Sequence, residues 1–284
     1  MLLALTFLIS LPVFSQNWRT DTSRMYRVNP WVAYSIFAVG TGTNMLGINR
    51  VQNGDPTPHA TILALDKDDV NAFDRWVLFQ DNVVDIRDEN LVRFTARDYS
   101  DWALYGGFGL PFLLALDKDI RREWMDVLPM YLETQTITAN LWAWGPISPA
   151  TISRFRPYTY FNIEEFPITE RDNSDRRASF YSGHVATAAT GAMFFARVYC
   201  DYHPEMRNKW LVYAGASVVP VWSAYWRIRD LAHFPSDILV GAAIGTAVGV
   251  LVPHFHKKQR KKQRMALSAI YNERAKGLAM VWRF

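Results

Sequence analysis

Three short patterns carry the residue types that phosphate-ester chemistry needs. Arg156-Pro157 is the first and Tyr181-Ser182-Gly183-His184 the second; the third places Arg227, His233 and Asp237 in order, with five residues between the first two and three between the last two. A phosphoryl group in transfer spreads negative charge over its equatorial oxygens, so catalysis asks for positioned cations and N–H donors. Arg156 and Arg227 supply guanidinium forks. Ser182 and Gly183, at the start of a helix, offer a hydroxyl and free backbone N–H groups where the helix dipole favours an anion. Two histidines can divide the acid and base work. His233 and Asp237 sit at a helix start, with Pro235 suited to its first turn. A carboxylate there can hold one ring nitrogen protonated and leave the other free to attack phosphorus, giving a phosphohistidine. His184 is then the group that protonates the leaving oxygen and later activates water. This chemistry asks for no metal and no cofactor.

The set resembles the type 2 phosphatidic acid phosphatase superfamily, which also includes the vanadium-dependent haloperoxidases. That family's pattern is Lys, six residues, Arg-Pro; then Ser-Gly-His; then Arg, five residues, His, three residues, Asp, and the match runs from Arg156 to Asp237. The resemblance implies His233 as nucleophile, Asp237 as its orienter, His184 as acid and base, and Arg156, Ser182, Gly183 and Arg227 as phosphate ligands. It also implies a lipid phosphate or diphosphate as substrate. The chain departs from the pattern where the lysine would fall, which is Pro149; Arg154 is the nearest cation, and in a loop it can substitute. Trp226 stands where many members have Ser, and Tyr181 where many have Pro. Two other readings stay open. One is a catalytically silent membrane protein that still binds lipid phosphate, as Pro149 allows; the other is a haloperoxidase-like oxidant.

Such patterns need elements to bring them together. Charge-free stretches recur at Val28–Asn49, Trp102–Leu116, Thr134–Ser153, Tyr181–Ala196, Trp210–Trp226 and Ile238–His256. Several fall short of the ~20 residues that cross ~30 Å of hydrocarbon, but Trp and Tyr at their ends suit the membrane interface. Gly241, Gly245 and Gly249 recur at four-residue steps, as do Ala188, Ala192 and Ala196, rows that let membrane helices approach closely. The fold expected is an all-α polytopic membrane helix bundle, of about six helices from the resemblance, with an amphipathic extramembrane segment. That segment, Ala64–Asp101, holds ten acids against five bases.

Met1–Trp18 is uncharged and resembles a secretory signal or an anchor. The chain is therefore divided into a signal or anchor (1–16), an N-terminal segment (17–101), the membrane core (102–256) and a basic tail (257–284). From His254 onward nine bases face one acid, which places the C-terminus in the cytoplasm. Counting back, the loops 154–180 and 227–237, which carry the three patterns, face the periplasm or exterior of an inner membrane. A cleaved signal followed by a spanning Val28–Asn49 breaks this parity, so that stretch is expected to be re-entrant or to lie on the surface.

Composition excludes much else. A net charge of +4 over 284 residues is too balanced for a nucleic-acid binder, and 50% hydrophobic residues are too many for a disordered chain. The single cysteine, Cys200, excludes an intramolecular disulfide framework and any multi-cysteine metal site. Glu133 in its apolar stretch is either a functional carboxylate or a helix–helix hydrogen-bond partner. His59 and His203 have no partner pattern and read as surface residues.

Overall fold

Caps and glycines set the helices. The computed structural model describes residues 24–54, 57–79, 92–161, 174–258, 265–272 and 275–282; the expected signal or anchor segment lies outside them. Among them, α1 (Pro30–Gln52) starts where Asn29 accepts from the N–H groups of Trp31 and Val32 and Pro30 takes the first helical position. Two short helices follow, α2 (His59–Leu63) and α3 (Ala72–Arg75). Then come α4 (Val92–Gly109), the short α5 (Lys118–Arg122), α6 (Trp124–Trp144), α7 (Gly183–Tyr202), α8 (Lys209–Arg229) and α9 (Pro235–His256). A two-stranded antiparallel hairpin, β1 (Met265–Asn272) with β2 (Ala275–Trp282), forms within the basic tail and departs from the all-α expectation. The bundle is otherwise helical, as the apolar patterning predicts.

The central helix is α7, which packs against α9, α8, α4 and α6. Its closest neighbour is α9, and the glycine row is the reason. A Cβ at Gly241, Gly245 or Gly249 would fall 2.5, 2.2 or 2.6 Å from the carbonyl oxygens of Ser182, Ala186 and Thr190, one turn apart on α7. The alanine row of α7 faces other partners: Ala188 lies against Gly107 of α4, and Ala192 and Ala196 cluster with Ala216 of α8. Polar side chains inside are satisfied locally or across helices. Thr134 and Thr136 return their hydroxyls to carbonyls one turn back, and the hydroxyls of Thr138 and Thr190 meet at 2.8 Å.

At one end of the bundle the segment before α1 is tied to the start of the tail. The N–H of Arg27 donates to His256 O, that of Lys258 to Met25 O, and the Tyr26 hydroxyl and Lys257 ammonium both reach Asp201. Glu133 resolves as a helix–helix partner, its carboxylate 3.3 Å from His256 Nε2. His203 also has a partner, Asp117, at 3.2 Å. The three patterns lie at the opposite end.

This arrangement revises the reading of residues 28–49. They form most of a continuous 23-residue helix packed along α6, with Gly40 against Thr136 and Gly47 against Ala143, so the two helices run in parallel. The bundle also crosses the expected boundary at 101/102, since α4 is continuous there. Large apolar side chains cover the outside, among them Trp31, Leu46, Trp102, Trp210, Val218 and Leu239. Among the described residues one helix, α9, is long and apolar enough to cross a membrane by length and composition.

Candidate active site

The geometry begins with the loop between α8 and α9. Leu231 turns the chain with a positive φ of 50°. The N–H of Ala232 returns to Arg227 O, and His233 projects inward, 2% exposed. Its Nδ1 lies 2.7 Å from the backbone carbonyl of Ser179. A carbonyl can only accept, so Nδ1 carries the proton and Nε2 keeps its lone pair. Nε2 faces Arg156, whose Nη1 is 3.4 Å away. Burial, then the charges of Arg156 and Arg227, hold the imidazole well below its ordinary value against the opposing pull of the Ser179 carbonyl. The ring is therefore held in its neutral form.

Asp237 does not make the expected contact with that ring. At the third position of α9 its carboxylate folds back on the helix start, accepting from Phe234 N at 2.9 Å and Ser179 Oγ at 2.6 Å, while Arg154 Nη1 binds the other oxygen at 2.5 Å. Asp237 therefore reaches His233 through Ser179, which takes the carboxylate on its hydroxyl and gives its carbonyl to the imidazole. Arg154, the cation nearest the missing lysine, is engaged by carboxylates. It bridges Asp237 to the buried Asp74 of α3 at 2.7 Å, also donates to Ser236 Oγ, and stacks over Phe234. Burial of Asp74 pushes its carboxyl up, but hydrogen bonds from Ser236, Arg154 and Asn71 outweigh this and hold it below the usual range. Both terminal nitrogens of the guanidinium are thus held by buried carboxylates.

The remaining motif residues surround His233. Arg156 is 7% exposed and donates to Ala232 O at 3.0 Å. Arg227 is 5% exposed; its Nη1 lies 3.5 Å from Asp230, and its buried Nε meets no partner among the described residues. Ser182 caps α7, its Oγ accepting from Val185 N, and its own N–H donates to Asp237 O. The next N–H groups, of Gly183 and His184, are the first of the helix and have no intrahelical acceptor. A side chain on Gly183 would press on the Trp142 indole, which itself donates to Tyr181 O. All seven residues picked from the sequence thus gather at one end of α7, α8 and α9: His184, His233, Asp237, Arg156, Ser182, Gly183 and Arg227.

Three further residues were not picked. Ser179 acts through its backbone carbonyl, which no sequence pattern betrays. Asp74 presents only a local Asn71–Asp74 turn. Asp101 accepts from His184 Nε2 at 2.9 Å. Its signal was the Arg97/Asp101 spacing on a helix entering an apolar stretch, hidden within the acidic segment. No three His, Cys, Asp or Glu side chains gather as metal ligands among the described residues. Residues 132–261 match the family model of the PAP2 superfamily. No curated protein and no solved structure matches the chain.

Proposed function

From the match of residues 132–261 to the PAP2 superfamily model, we propose that the protein is a membrane phosphatase that hydrolyses the phosphate monoester or diphosphate of a lipid. One observation carries the reading: a neutral, buried His233 whose lone-pair nitrogen opens toward Arg156, beside Arg227, whose Nε has no partner among the described residues, and the first N–H groups of α7, which have no intrahelical acceptor. His233 Nε2 attacks phosphorus, the P–O bond to the lipid breaks, and the leaving oxygen takes a proton from His184. His184 then removes a proton from water, whose oxygen displaces Nε2 and releases inorganic phosphate. Arg156, Arg227 and the N–H groups of Gly183 and His184 hold the equatorial oxygens throughout.

The apolar exterior supports a bilayer as the surroundings, and the six long helices among the described residues, if each crosses, make an even number of crossings. With the basic tail cytoplasmic, the site faces the periplasm or exterior. The lipid tail stays among the helices while the head group reaches the site.

Purified protein in detergent should release phosphate from lipid phosphates, and His233→Ala and His184→Ala should each lower kcat/KM by at least about a hundredfold. Equal release by wild type and both variants would sink the proposal. A second reading, a protein that binds lipid phosphate without hydrolysing it, is favoured by Pro149 and by the commitment of Arg154 to two carboxylates. Saturable lipid-phosphate binding by a wild type that releases no phosphate would establish it.

A further inference from the structure

The residues matched to the family begin at 132, yet the site receives a side chain from outside them. Asp101 lies on α4, a helix packed against both α7 and α8. Its Oδ1 is 2.9 Å from His184 Nε2, and the two side chains are 35% and 31% exposed, so the pair sits at the mouth of the site rather than in the core. Arg97, one turn earlier on α4, is near enough that its charge acts on both Asp101 and Arg227. This face of α4 therefore borders the motif residues. Resting on the phosphatase reading above, we infer that Asp101 is a positioning residue for the reaction, holding the His184 ring by its Nε2–H so that Nδ1 is the atom that gives and takes the reacting proton.

The chemistry follows from which nitrogen is occupied. A carboxylate only accepts, so Nε2 keeps its hydrogen in both charge states of the ring. The exchangeable proton is then on Nδ1: it goes to the leaving oxygen as the P–O bond breaks, and comes back from water as the P–N bond to His233 breaks. Asp101 stays ionised and takes no proton. It fixes the ring's rotation and tautomer and stabilises the imidazolium that precedes the first transfer and follows the second. A helix outside the family's motifs thus completes the half of the site that handles the proton.

The test uses leaving groups of different basicity with the full-length protein in detergent. An alkyl phosphate needs its leaving oxygen protonated; an aryl phosphate such as p-nitrophenyl phosphate does not. Asp101→Asn should lower kcat/KM for the alkyl phosphate by about ten- to a hundredfold and leave it nearly unchanged for the aryl phosphate. On the aryl phosphate, kcat and KM should fall together, with a burst of p-nitrophenolate, because water activation is slowed after the phosphoenzyme forms. Asp101→Glu should recover part of the loss, and Asp101→Asn should cost nothing further in a His184→Ala background. Equal loss on both substrates, or a full additional loss beside His184→Ala, overturns the positioning role. So does alkyl phosphate hydrolysis by Asp101→Asn at the wild-type rate while His184→Ala is inactive; in that case the phosphatase reading stands without this inference. A wild type inactive on both substrates removes that reading and the inference with it. Melting temperatures of the Asn and Glu variants in detergent separate misfolding from mispositioning.

Discussion

Under the phosphatase proposal, the neutrality of His233 decides reactivity. In the folded chain burial and two guanidinium groups hold its imidazole well below the ordinary value of 6.5, so the folded state resists a proton that the unfolded chain accepts. The sign follows: this contribution to stability is fully present above about pH 6.5, and it is lost as the pH falls, because only the unfolded state gains the proton. For catalysis, the acidic limb of kcat/KM due to the nucleophile should lie below pH 6.5. A pH profile on p-nitrophenyl phosphate checks this, since a good leaving group lessens the demand on His184. A limb centred above 6.5 would contradict the neutral ring. The seven candidate residues stood out together because their types and spacings are rare in combination. What was not legible was how they connect. Asp237 four residues after His233 suggested a direct bond, but a carboxylate at the third position of a helix is drawn to its own helix start, and Ser179 carries the link instead.

At the scale of elements, the site depends on how closely α7 and α9 approach, since Ser182 N–H on Asp237 O joins their first turns. The glycine row permits that approach. Gly245→Ala puts a Cβ within 2.2 Å of a backbone carbonyl that cannot swing aside. It should destabilise the protein by about 1–3 kcal/mol and lower activity through the same displacement. Gly215→Ala on α8 meets nothing within 4 Å, and it should be neutral or stabilise by up to about 1 kcal/mol. Melting curves in one detergent rank the two, and similar shifts would refute the packing argument. The four-residue steps of both small-residue rows were readable directly, because helical periodicity puts them on one face. Their partners were not: nothing in the alanine row says that α4 and α8, rather than α9, lie against it.

For the whole molecule, the bridge between Tyr26 and Lys257 joins the start of α1 to the end of α9 at the end opposite the motifs. α1 runs from that end toward the site, and α4, α6, α7, α8 and α9 alternate after it, so residues 24–27 and 256–258 share one end, and a cytoplasmic tail goes with a cytoplasmic start of α1 rather than with a cleaved signal. Under the membrane proposal both tied ends are cytoplasmic. A reporter that is active only in the periplasm should therefore be silent when fused after His256, and active when fused between residues 229 and 235. The reverse pattern would invert the topology and place the site in the cytoplasm. The sequence by itself determined the chemistry and the helical periods, because residue types, motif spacings and small-residue rows are local properties of the chain. Only tertiary structure decided that 28–49 joins the bundle, that Arg154 serves two carboxylates, and that Asp101 comes to His184 across 83 positions of sequence. Those outcomes depend on which helix faces meet and which charges are buried together, and the pairing of distant faces is not written in either one alone.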